Sequence, residues 1–132
     1  MPDVAPTNMA MGILGAGVCI PDAGLASELQ LDDCALDIAI LPTMVRRRTS
    51  LATRIAVSAA SRACAVAGGD LQIPAIFVSA AGEMQVTDRL CRAIAGEAYP
   101  LSPTQFHNSV HNSASAYWSM ATGSMAPMQA MS

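Results

Sequence analysis

The stretch that decides the fold class is SLATRIAVSAASRACAVAGGDLQIPAIFV, which runs from Ser50 to Val78. Apolar residues recur there at spacings of three and four, which predicts a helix to about Ala67 with one buried face: Leu51, Ile55, Ala59, Ala63 and Val66. Thr49 or Ser50 can cap the start of this helix, and Gly68-Gly69 can end it. A short apolar strand, Ile73 to Val78, follows. The largely alanine face of the helix would let a neighbouring element approach closely.

Further elements are predicted on both sides of this unit. A strand buried on both faces is predicted at Gly12 to Ile20, and Leu36 to Leu41 is either a second strand or a buried segment that is not a strand. Between them lies a loop with a short helix, Pro21 to Asp37. Helices are predicted at Val86 to Ala95, from Ser102-Pro103, and at Ser113 to Thr122. Residues 1–8 form a predicted loose leader, and residues 9–132 one domain. The alternation of strand and helix predicts an α/β fold with a mostly parallel sheet flanked by helices.

Composition excludes several classes of protein. The chain has 132 residues, of which 52% are hydrophobic and 13% charged, with a formal net charge of -3. Disordered chains are less apolar, and nucleic-acid binders need clustered basic residues, so no nucleic-acid partner is expected. The apolar run from Met9 to Ile20 is too short to span a membrane, and no Lys or Arg precedes it as in a signal peptide. We therefore expect a cytoplasmic protein whose unusually apolar surface is covered by a partner or by a further segment.

Cysteines and glycines indicate no cofactor site. The four cysteines are widely spread without a C-x-x-C pair, and are predicted to be free buried thiols: Cys19, Cys34, Cys64 and Cys91. Gly12, Gly15 and Gly17 form G-x-x-G-x-G, whereas the dinucleotide fingerprint is G-x-G-x-x-G at the opening of a helix. We interpret these glycines as places where another backbone packs close to a strand.

The only two histidines, His107 and His111, are four residues apart. On a helix this spacing would place both rings on one face, as in H-E-x-x-H metal sites, but Asn108 stands where that motif has glutamate. No third ligand is close in sequence. We expect both rings to make ordinary hydrogen bonds and expect no metal, with a small metal-binding domain kept as a minor alternative.

Two other clusters each leave two interpretations open. Arg46, Arg47 and Arg48 precede the long helix and are either a solvated turn or a docking point for a phosphate or an acidic partner. Tyr117 and Trp118 follow a run of small residues and either fill a pocket or interface at a tight helix contact, or belong to the core.

Three segments together resemble a known family: PLSPTQFHNSVHNSASAYWSMATG (Pro100 to Gly123), LPTMVRRRTS (Leu41 to Ser50) and IFVSAAGEM (Ile76 to Met84). They closely resemble the β-ketoacyl-synthase-like N-terminal domain family, relatives of condensing enzymes and of their chain-length-factor partners. The resemblance implies the N-terminal part of a layered, thiolase-like fold. It also implies a role in fatty-acid or polyketide chain assembly of the aryl polyene type, on an acyl carrier protein.

The resemblance also implies roles for particular residues. Asn112 falls at the Asn of the family's turn and would hold that turn by side-chain hydrogen bonds. The arginine triplet becomes a possible carrier-docking patch, and a homodimer or a heterodimer with a ketosynthase is expected. The motif and interface candidates are Ser102, Pro103, Phe106, His107, Ser109, His111, Asn112, Tyr117 and Trp118.

One departure from the family concerns catalysis. Condensing enzymes carry a nucleophilic cysteine after the next strand, and none of the four cysteines stands in that context. No catalytic residue can be transferred to this chain. We therefore expect an N-terminal part, incomplete after Ser132, that does not condense acyl units by itself. The alternative is a non-catalytic partner subunit of a ketosynthase.

Overall fold

The computed structural model describes residues 11–96 and 103–132. Its elements, in chain order, are α1 (Ala23–Glu28), α2 (Thr43–Arg46), α3 (Leu51–Val66), β1 (Ala75–Val78), α4 (Met84–Ile94), α5 (Pro103–His107), α6 (Ser113–Thr122) and β2 (Met128–Met131). None of the helices in these ranges is both long and apolar enough to cross a membrane. Ser102 of the predicted motif lies outside the described residues.

The predicted parallel pairing of strands is confirmed. β1 and β2 run parallel, with Ala75 beside Met128 and Val78 beside Met131. The ladder continues at one end, where the Ser79 N–H donates to the Met131 carbonyl at 3.0 Å. Phe77 faces the helices, whereas the side chain of Val78, 74% exposed, points away from them. The sequence predicts no element over β2, so this strand is an addition to the prediction.

The three long helices form where predicted, and their ends have identifiable causes. The Ser50 hydroxyl accepts a hydrogen bond from the Thr53 N–H at 3.0 Å and so caps α3. Gly123 ends α6 in the left-handed conformation at φ 66°, which glycine adopts without a steric penalty. α5 begins at Pro103, where a missing backbone N–H costs nothing.

The core lies where α6 packs against α3 and against the inner face of the sheet. Trp118 is only 2% exposed, and its ring lies 6.4 Å from that of Phe77 at a tilt of 55°. The buried cluster consists of Leu41, Val57, Cys64, Tyr117 and Trp118. Tyr117 and Trp118 are therefore core residues, which is the second of the two interpretations that the sequence left open.

The predicted buried face of α3 is wrong. The residues that α3 buries are Thr53, Val57, Ser58 and Cys64, whereas Leu51 and Val66 are exposed. The reason is that α3 is covered on two sides. One side meets the core, and the alanine side meets the chain segment around Gly15 and Gly17 instead.

The expected strand from Gly12 to Ile20 does not form in the described structure. Gly15 and Gly17 lie directly on the backbone of α3, so the close approach predicted for them is confirmed. The large side chains nearby point outward, with Ile13 91% exposed. Among the described residues, only Ile20 of this stretch donates a backbone hydrogen bond, to the Cys34 carbonyl at 2.7 Å. An apolar run shows that a strand could form, but not whether a neighbouring strand is present to pair with it.

Leu36 to Leu41 is likewise not a strand. The chain turns there, with the Leu41 N–H donating to the Ile38 carbonyl at 3.0 Å, and Leu41 becomes fully buried. The alternative prediction, a buried segment that is not a strand, is therefore confirmed.

The cysteines are free, as predicted, but they are not all buried. Cys34 and Cys64 are buried, Cys19 is partly exposed and Cys91 is exposed. Cys91 lies on the side of α4 that faces solvent.

Cysteine alkylation is expected to distinguish these environments. Burial, and to a smaller extent the charge of Asp70, raise the pKa of the Cys64 thiol, which lowers its thiolate fraction near neutral pH. With iodoacetamide at pH 7.5, Cys91 should therefore be modified at least about tenfold faster than Cys64, because the thiolate is the nucleophile and access to it is required. Peptide mass spectrometry over a time course measures both rates. Equal rates in the folded protein would contradict the burial of Cys64.

Candidate functional site

A pocket of about 370 Å³ opens at the carboxyl ends of β1 and β2. This edge is where sheets of parallel strands ordinarily bind ligands. Phe77, Val78 and Met131 line it at the end of the sheet together with alanines of α3 and α6, whereas Glu83 and His111 are its ionisable residues. The pocket is mainly apolar, with a small polar rim.

The Glu83 carboxylate connects three elements on one side of this pocket. The same oxygen, Oε1, accepts hydrogen bonds from Ser50 Oγ at 2.6 Å and from Thr53 Oγ1 at 2.9 Å. Thr53 Oγ1 also lies 3.5 Å from Ser113 Oγ at the start of α6. This arrangement holds the beginnings of α3, α4 and α6 together. Sequence reasoning missed Glu83 because its partners lie about 30 residues away in the chain.

The two histidines are not brought together. His107 is the last residue of α5 and lies edge-on to Tyr117, with ring centroids 6.0 Å apart. His111 is in the turn before α6 and lines the pocket at the sheet edge. Within residues 11–96 and 103–132, no three His, Cys, Asp or Glu side chains are grouped so that they could hold a metal ion. The helical spacing assumed for the pair is wrong, because α5 ends at His107.

The residue that holds the turn between α5 and α6 is Asn108, not Asn112. The buried Asn108 amide donates to the Arg48 carbonyl, and its oxygen accepts from the Tyr117 hydroxyl at 3.0 Å. Asn112 is exposed and makes no side-chain cap bond to α6. The role predicted for Asn112 is therefore corrected. In the sequence both residues follow a histidine, and only the tertiary contacts with Arg48 and Tyr117 distinguish them.

Asn108→Ala is expected to lower the free energy of unfolding by about 2–3 kcal/mol, because it removes two hydrogen bonds and leaves buried partners unsatisfied. The matched control, Asn112→Ala, should change the free energy by less than about 0.5 kcal/mol, because the side chain is exposed. Urea unfolding followed by circular dichroism measures both values. Similar losses in the two variants would refute the assignment.

Tyr117 is held in its neutral form. Burial raises the pKa of its phenol, the charge of Arg48 lowers it and that of Glu83 raises it. The net direction is upward, so the hydroxyl remains a donor to Asn108 at neutral pH.

The arginine triplet divides into one structural and two exposed residues. Arg46 donates from Nε to the Leu41 carbonyl at 2.6 Å and from an Nη atom to the Ala39 carbonyl at 2.8 Å. It thus fixes the turn that precedes α2. Arg47 and Arg48 are exposed, so only these two present charge to a possible partner.

The other motif candidates are mostly at the surface. Pro103 and Phe106 are exposed on α5, and Ser109 Oγ donates to the Phe106 carbonyl at 2.7 Å. Ser109 therefore stabilises the end of the helix locally.

Comparison with known proteins identifies the family. The sequence model described as "Beta-ketoacyl synthase, N-terminal domain" matches residues 24–132. The chain belongs to this family. A solved structure of the ketosynthase ApeO in complex with its chain length factor ApeC, from Xenorhabdus doucetiae, is similar at a TM-score of 0.53 and 24% sequence identity. No curated protein matches significantly.

The structural match covers 67% of this chain and 36% of the matched chain. This β-ketoacyl synthase N-terminal domain thus spans about a third of the length of its structural relative. The likeness shows the fold, and the parallel pair flanked by helices is the corresponding N-terminal part of a thiolase-like α/β layer.

Proposed function

We propose that this chain is the N-terminal part of a β-ketoacyl-synthase-like protein that acts in acyl-carrier-bound chain assembly in the cytoplasm. The pathway proposed is fatty-acid-type or polyketide assembly of the aryl polyene class. The observation that supports the proposal is that this member of the family has an apolar pocket of about 370 Å³ at the carboxyl ends of β1 and β2. An apolar pocket at that edge suits the hydrocarbon part of an acyl group.

The position of the cysteines bears on whether the protein condenses acyl units or assists a partner that does. No described cysteine lines this pocket. Cys34 and Cys64 are buried elsewhere, and Cys91 lies on the solvent side of α4. Condensation through a cysteine thioester would therefore need a nucleophile outside the described residues. The second candidate function is that of a non-catalytic, chain-length-factor-like subunit that pairs with a ketosynthase.

The exposed outer face of the sheet supports a role in an assembly. Ile76 and Val78 on β1 and Met131 on β2 all present apolar side chains to solvent. Exposed apolar surface of this kind is typical of regions that another chain or another part of the same protein covers. We propose a ketosynthase as that partner and an acyl carrier protein as the donor of substrate, with Arg47 and Arg48 as a candidate docking point for the acidic carrier.

Acyl loading tests the assignment of the cysteines. After incubation of the chain with an acyl-loaded carrier protein, we expect no acyl thioester on Cys19, Cys34, Cys64 or Cys91 by intact-mass and peptide mass spectrometry. A ketosynthase with its nucleophile, treated in parallel, should become acylated and serves as the positive control. An acyl group on any of the four cysteines would contradict the assignment.

The gene sequence beyond codon 132 distinguishes the two roles. A cysteine codon followed by codons for small residues, shortly after β2, favours a condensing enzyme. Any other residue at that position favours the partner subunit.

A further inference from the structure

A second pocket, of about 390 Å³, is lined on one side by Tyr117. Three separate parts of the chain form it: the region around α2, the helix α5 and the helix α6. The hydrogen-bond donors that line it are Arg48, Thr104 and His107. Its apolar surface comes from Val45, Met120 and the ring of Tyr117.

Arg48 brings a positive charge to this pocket that nothing in the described structure neutralises. Its guanidinium makes no hydrogen bond or ion pair with a described residue, since only its backbone carbonyl is engaged, by Asn108. The guanidinium is close enough to Tyr117 to lower the pKa of the phenol against the effect of burial. An uncompensated arginine at the wall of a pocket favours an anionic ligand.

Two further donors face the same space, and no acidic side chain is among the described lining residues. The His107 ring is held edge-on against Tyr117 at 6.0 Å and offers an N–H donor in either protonation state. The Thr104 hydroxyl makes no hydrogen bond with a described residue, although its backbone carbonyl accepts from Asn108. A guanidinium, an imidazole and a hydroxyl together match the three terminal oxygens of a phosphate group.

We propose that this pocket binds an organic phosphate monoester, with its phosphate on Arg48, His107 and Thr104 and its apolar part against Val45 and Met120. The volume supports an organic ligand over a bare ion, because it falls within the range of about 300–1,000 Å³ typical of small-molecule sites. The inference uses none of the residues at the sheet edge. It shares Arg48 with the docking point proposed for the carrier, and binding of a small phosphate ester tests it separately from carrier docking.

Isothermal titration calorimetry with phenyl phosphate and with inorganic phosphate tests the proposal on the full chain. Phenyl phosphate should bind more tightly than inorganic phosphate, because only the former reaches Val45 and Met120. Arg48→Ala should weaken phenyl phosphate binding about tenfold or more through loss of a charge-assisted contact. The matched control, Arg47→Ala, removes an exposed neighbouring arginine outside the pocket and should change affinity less than about twofold.

His107→Gln provides a second variant, which should weaken binding several-fold while Phe106→Ala next to it does not. Circular dichroism checks that each variant retains its helices. Arg48→Ala is expected to fold, because the backbone carbonyl of Arg48, which accepts from Asn108, is unchanged by the substitution. The proposal is overturned if the folded chain does not bind phenyl phosphate. It is also overturned if inorganic phosphate binds equally well, or if Arg47→Ala costs as much affinity as Arg48→Ala.

Discussion

Trp118→Ala is expected to lower the free energy of unfolding by about 4 kcal/mol. The indole is 2% exposed, and the substitution would leave a cavity between α6, α3 and Phe77 on β1. Because the relaxation of such a cavity is only partial, its cost adds to the lost burial of the ring. Urea or guanidinium unfolding followed by circular dichroism measures the change.

Phe106→Ala is the matched aromatic control for this prediction. Phe106 is 71% exposed on α5, so its truncation should change the free energy of unfolding by less than about 0.5 kcal/mol. If both variants lost the same stability, the assignment of Trp118 to the core would fail.

Gly17→Ala is expected to destabilise the domain by about 2 kcal/mol or more, because the new methyl group would overlap the backbone of α3. A Cβ at position 17 would lie 2.4 Å from the Ala59 carbonyl oxygen and 2.4 Å from the Ala63 nitrogen. Backbone atoms in the middle of a helix cannot move aside as a flexible side chain could. The segment before α1 must therefore lift away from α3.

Two measurements on this variant report on stability and on position. The free energy of unfolding should fall, and the partly exposed Cys19 should become more reactive toward iodoacetamide as its segment lifts. Gly12→Ala is the control, since nothing lies within 4 Å of a Cβ at that position. A Gly17→Ala variant as stable as Gly12→Ala would contradict the close packing of the segment on α3.

Local signals were enough to predict the long helices and the type of sheet. The cap at Ser50, the stop at Gly123 and the proline at position 103 each act within one helical turn, so the sequence around them contains the whole cause. The family resemblance added the layered fold, which the structural match confirms.

Interactions between distant parts of the chain explain what could not be predicted. β2 contains methionine, glutamine and alanine rather than β-branched residues, and it is a strand because β1 pairs with it. The stretch from Gly12 to Ile20 has stronger strand character, yet in the described structure no strand lies beside it. In both cases the presence or absence of a partner strand outweighed the intrinsic strand propensity of the residues.

The candidate site was only partly accessible from sequence for the same reason. The pocket at the sheet edge joins Val78 and Met131, which are neighbours in register but more than fifty residues apart in the chain. Asn108 could not be separated from Asn112 without the Arg48 carbonyl that it binds. Conversely, the arginine triplet and His107 are unconnected in the sequence, and the fold brings Arg48 and His107 to one pocket.

The most direct test of the central claim is a reconstituted chain-elongation reaction. The protein encoded by the complete gene would be combined with an acyl-loaded carrier protein, a malonyl-loaded carrier and a ketosynthase from the same genome, and the carrier-bound products would be measured by mass spectrometry. We expect elongated acyl chains to accumulate on the carrier only when this protein is present, or to show a different length distribution in its presence. Identical products with and without it would contradict a role in carrier-bound chain assembly.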